Sequence, residues 1–170
     1  MCIRDRAWVW ARHVGDPSFR GPFGGVNLVV HEAGHALFSW SGNTTLTIAG
    51  GTLLELAVPL MAGVLFLRQR DAFAVTVAGV WLATALLDVG VYAGDARTRL
   101  LPLVSVGSGP PLHDWGYLLG ELGILEHDRT IARLFRDAGL ALMTASLLAG
   151  GWVTSRIRLK RAEGPARHGS

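Results

Sequence analysis

Residues 72–93 read AFAVTVAGVWLATALLDVGVYA, a run in which Asp88 is the one charged side chain. Such a run meets the roughly 20 residues that an α-helix needs to cross a hydrocarbon core. Working outward, residues 49–67 before it and 138–153 after it are similar apolar runs, and the shorter stretch 23–40 is a fourth candidate. Hydrophobic residues make up 50% of the chain and charged residues 17%, a balance that suits a bilayer solvent better than water. At 170 residues there is room for one domain. The expected fold class is all-α: a polytopic membrane helical bundle of about four transmembrane helices, with an interfacial helix leading into the last crossing.

The net charge of +3 raises the question of nucleic acid. The basic residues gather at the ends of apolar runs instead of forming a patch interleaved with aromatics, so no nucleic-acid partner is expected. Arg4, Arg6, Arg12 and Arg20 precede the first run, Arg68 and Arg70 close the second, and Arg156, Arg158, Lys160 and Arg161 close the last. The positive-inside rule makes these flanks cytoplasmic, and four crossings then return both termini to the cytoplasm. The expected location is the cell (inner) membrane, with the lipid bilayer as first partner. Residues 94–137, on the opposite side, carry five arginines of their own, so the asymmetry is modest.

Residues 1–20 read as a polar, interfacial lead-in with Trp8 and Trp10 suited to the membrane surface. Residues 1–6 differ in character from the remainder, and residues 1–20 lack an apolar stretch long enough for a cleavable signal. Residues 21–158 form the helical membrane domain, and 159–170 a basic, disordered tail. Residues 44–51 are too polar and glycine-rich to assign. Pro59 predicts a kink in the second run, residues 100–112 with their prolines and glycines a loop, and residues 127–137 a charged helix. Cys2 is the lone cysteine, which excludes an internal disulfide and a thiolate-rich metal site.

Inside the stretch 23–40 stands His31-Glu32-Ala33-Gly34-His35. Histidines four apart share one helix face, so both imidazoles can reach one zinc ion while Glu32 takes a proton from a water beside it. Zinc in a hydrolytic site takes three protein ligands. His13, His127 and His168 lie in polar flanks, which leaves His113, Asp114, Asp88, Asp95 and Glu55 near or within the apolar body.

The HEAGH pattern in an apolar helix, followed far downstream by residues 111–119 (PLHDWGYLL), resembles the site-2 proteases, intramembrane zinc metalloproteases. The resemblance covers about residues 26–119. It implies His31, His35 and an aspartate at the start of a later helix, here Asp114, as zinc ligands, and Glu32 as the catalytic base. It also implies a membrane-protein or peptide substrate. His113 and Trp115 depart from the family pattern, and His113 is a rival third ligand.

Simpler roles stand beside these. Asp114 follows a proline-rich loop and opens an apolar stretch, as a helix N-cap does. Glu55 and Asp88 serve either as polar-pathway groups or as hydrogen-bonding groups within the bundle. Asp95 with Arg97 and Arg99 reads as a loop ion pair or a solvated turn. An alternative to the hydrolase is a non-catalytic metal-binding membrane scaffold or ion-pathway protein. Sequence leaves the oligomeric state open.

Overall fold

The computed structural model describes residues 2–16, 19–103 and 112–163, the side chains of 160–163 excepted. Most of the expected loop at 100–112 and the tail 164–170, His168 included, lie outside the described residues. The described residues form six α-helices and no strand: α1 (Ile3–Gly15), α2 (Gly24–Ser39), α3 (Thr44–Arg68), α4 (Ala72–Gly94), α5 (Asp114–Glu121) and α6 (Asp128–Glu163). A single 3-10 turn, Leu125–His127, leads into α6.

Among the described residues three helices, α3, α4 and the stretch Leu125–Leu159, are long and apolar enough to cross a membrane. No more than 44% of any of their apolar windows is buried inside the protein. Leu60, Met61, Leu65, Leu148 and Trp152 are among the large apolar side chains left exposed on them, which is compatible with a lipid-facing surface. The expectation of four such helices is not met by length: α2 has 16 residues, about 24 Å at a rise of 1.5 Å per residue.

Helix boundaries follow local chemistry. Asn43 caps α3 by accepting from the Leu46 N–H, and Asp71 caps α4 by accepting from the Ala74 N–H. The stretch 44–51, unassigned from sequence, is therefore the first two turns of α3. Pro59 lies inside α3 and the helix runs on through it. Among the described residues, the short helix α5 and the 3-10 turn Leu125–His127 precede the last long helix. Residues 128–137 and the apolar run after them form one helix of 36 residues, because no proline interrupts them.

Small residues set the helix spacing, as expected where apolar side chains gain little by leaving lipid. α4 and α6 pack antiparallel, with Gly90 facing the Ala132 carbonyl, Gly139 facing the Ala83 carbonyl, and Gly79 against Ser146. Val9, Ala83, Leu87 and Met143 form the buried core between α1, α4 and α6. α2 crosses α3 where Gly34 meets Gly50 and Gly51.

The lead-in is more embedded than its composition suggests. In α1, Arg6 donates to Thr76 and lies over the Phe73 ring, Trp10 donates to Thr144, and His13 is buried. Contacts then climb α4 in order: Arg6 with Thr76, Phe23 stacked on Trp81, Asn27 with Asp88, and His31 against Tyr92. α1 and α2 thus follow α4 nearly end to end in two pieces.

Candidate metal centre

Three side chains from two distant segments converge at the end of α4. His31 Nε2 lies 2.9 Å, and His35 Nε2 3.1 Å, from Asp114 Oδ2. These ligand atoms all stand within 4.8 Å of one another. Ligand bonds of roughly 2.0–2.2 Å to a tetrahedral zinc would hold neighbouring ligand atoms about 3.3–3.6 Å apart, within the limit of 4.8 Å on the separations found and a little wider than the 2.9 and 3.1 Å to Asp114.

The other ring nitrogens are already committed. His31 Nδ1 donates to Glu55 Oε2 at 2.9 Å, and His35 Nδ1 donates to the Thr47 carbonyl at 2.9 Å. Here the two Nε2 atoms make the contacts to Asp114, and a ring with its proton on Nδ1 would offer its Nε2 lone pair to a metal ion at that point, the arrangement that orients histidine ligands. Gly51 forms the floor. A Cβ there would sit 2.6 Å from His31 Nε2 and 2.7 Å from His35 Nε2, so a side chain would fill the space where the nitrogens converge. The donor set and the missing Cβ both fit a metal ion.

Asp114 reaches this point because His113, and not Asp114, is the N-cap of α5. His113 Nδ1 accepts the Gly116 N–H at 3.1 Å, which leaves the Asp114 carboxylate for the imidazoles. The Asp114 N–H donates to the Tyr92 hydroxyl at 3.2 Å. Burial raises the Asp114 carboxyl, but bonds from His31 and His35 outweigh it and hold the group below the usual carboxylate range.

His113, the rival ligand, is not brought to the cluster. Its ring stacks on Tyr92 at 4.4 Å between centroids, its Nε2 faces Asp95 Oδ2 at 3.5 Å, and burial pushes its imidazole below the usual value. Asp95 is not an ion-pair partner of Arg97. Its oxygens accept from Thr98 and from the Leu100 and Leu101 N–H groups, while Arg97 forms a bidentate pair with Asp128 at the start of α6. His127 is exposed beside Glu126, and His13 Nδ1 donates to the Val9 carbonyl.

Glu32 lines a cavity of about 840 Å³ with His31, His35, Tyr92 and Asp114. It makes no hydrogen bond or ion pair with another described residue. Thr47, Gly51 and Tyr92 are residues that sequence reading did not bring to the site, and Glu55, one of its candidate ligands, is instead a partner of His31 Nδ1. Glu55 carried a signal, as an acid in an apolar run; the others carried none.

Comparison with family models, with curated proteins and with solved structures finds no match.

Proposed function

We propose that this chain is an integral membrane zinc hydrolase, and that it acts as a peptidase like the site-2 proteases it resembles. The observation that carries this reading is the convergence of His31 Nε2, His35 Nε2 and Asp114 Oδ2 over Gly51, with Glu32 beside them in one cavity. Zinc held there supplies a Lewis acid that brings the pKa of a water toward neutrality. Glu32, whose carboxylate lines the same cavity, would be the base that takes a proton from a water as its oxygen bonds to the scissile carbonyl carbon, and would return it to the nitrogen as the C–N bond breaks. Glu55 and the Thr47 carbonyl keep both imidazoles in the tautomer that points Nε2 inward. Tyr92 and the His113 cap hold Asp114 in register.

The substrate is a transmembrane or juxtamembrane segment. A helix shields its carbonyls in hydrogen bonds, so the segment unwinds before attack. The path of α1 and α2 along α4 supports a fourth, two-part crossing, and with it both termini on one face. Arg68, Arg70 and Arg156 share that face, which the positive-inside rule makes cytoplasmic.

The experiment is metal analysis by mass spectrometry on detergent-purified protein, with turnover of a transmembrane peptide measured in parallel. Wild type should hold near-stoichiometric zinc, lost in His31→Ala and Asp114→Ala, and weakened but not abolished in His113→Ala, which removes the α5 cap and no ligand. Glu32→Gln should keep the metal and lose roughly 10²- to 10⁴-fold in turnover. Folded wild type without metal would sink the reading. Metal without Glu32-dependent turnover would favour the scaffold or ion-pathway alternative.

A further inference from the structure

Asp88 is the one charged residue of α4 and lies two turns from Trp81. A directed chain of bonds holds it. Trp81 Nε1–H donates to Asn27 Oδ1 at 2.8 Å, and Asn27 Nδ2–H donates to Asp88 Oδ2 at 2.7 Å. The indole can only donate, so the Asn27 amide is fixed with its oxygen toward Trp81 and its nitrogen toward the carboxylate.

The carboxylate lines the same cavity as Glu32, His31 and Asp114. Arg20 and His13 are the basic groups whose charge reaches it, and Glu55 is the neighbouring acid. Among the described residues none of these forms an ion pair with Asp88. Asn27 is four residues before His31 on α2, about 6 Å along the helix axis at a rise of 1.5 Å per residue. An extended peptide covers that distance in about two residues at roughly 3.3 Å each.

We propose that Asp88 is a substrate subsite: an oriented acceptor for an N–H donor of the bound segment, about two residues from the scissile bond. The proposal rests on the peptidase reading and adds the recognition chemistry. A segment unwound in the cavity gives up the helical partners of its backbone N–H groups, which is costly away from water, and a carboxylate there satisfies one. A lysine or arginine side chain offers the same donor chemistry.

The test is equilibrium binding of two fluorescently labelled transmembrane peptides, one with lysine and one with norleucine two residues from the cleavage position. Each is titrated against full-length Glu32→Gln protein, which leaves the peptide intact, with Asp88, Asp88→Asn or Asp88→Ser. Thermal unfolding identifies any variant that does not fold. The expected result is a roughly ten- to hundredfold loss of affinity in both variants, the scale of one hydrogen bond to a charged group. Loss confined to the lysine peptide assigns the donor to a side chain, and equal loss for both assigns it to the backbone. Unchanged affinity for both peptides, or no binding by protein that keeps Asp88, overturns the proposal. Cleavage of the same peptides by wild type separates the two ideas. Asp88-dependent binding without cleavage sinks the enzyme alone, and cleavage with Asp88-independent binding sinks the subsite alone.

Discussion

Glu55 and Tyr92 show how single side chains complete a centre that HEAGH only begins. Glu55 accepts from His31 Nδ1 and so decides which nitrogen of that ring faces Asp114. Glu55→Gln keeps the shape, but its amide can present a donor to a ring nitrogen that must itself donate. Zinc affinity should fall roughly 10- to 100-fold, read by competition with a chromophoric chelator. Tyr92→Phe removes the hydroxyl that accepts the Asp114 N–H and leaves the ring stacked on His113. It should cost about 1 kcal/mol in unfolding free energy, measured by denaturant titration, with the metal retained. The histidine pair and Glu32 were legible in sequence because i, i+1 and i+4 are local relations on one helix. Glu55 was not assigned to them, since nothing in its own neighbourhood says which helix it faces.

The crossing of α2 and α3 is the element on which the centre depends. Gly34 packs against the Gly50 carbonyl, and Gly51 lies under both imidazoles. No rearrangement of a flexible side chain relieves a clash between Gly34 and the α3 backbone. Gly34→Ala and Gly51→Ala should both lose bound zinc, and Gly34→Ala should also lower the unfolding temperature, as followed by circular dichroism. Gly120→Ala, where a Cβ meets nothing within 4 Å, should change neither. The glycines at 50 and 51 made residues 44–51 hard to assign, because glycine weakens a helix taken alone. In the folded chain they are what lets two helices approach closely enough to share a site. α5 shows the converse: His113 and Asp114 are adjacent, and either could cap the helix, yet the cap falls to His113 and frees the aspartate.

Across the whole molecule, the cluster lies at one end of the bundle, by the first turns of α3 and the end of α4, away from Arg68 and the end of α6. If both termini are cytoplasmic, the site opens toward the opposite face. In a Cys2→Ser background, Leu122→Cys, exposed beside α5, should react with a membrane-impermeant maleimide added to intact cells, and Gln69→Cys should react only after lysis. The reverse pattern would invert the orientation and place the site toward the cytoplasm. α1 belongs to this scale as well. Its four-residue neighbourhoods look polar and interfacial, but Arg6, Val9 and His13 are buried against other helices.

Sequence by itself determined the helical class, the three long apolar helices and the HEAGH face, because hydrophobic run length and the helical period act through near neighbours in the chain. It also offered Asp114 and His113 as rivals without separating them. The tertiary structure decided that Asp114 joins the imidazoles, that Glu55 and Thr47 meet their Nδ1 atoms, and that Asp88 faces the same cavity. These relations span 12 to 83 residues along the chain. They are set by where small residues let helices touch, which no local pattern encodes.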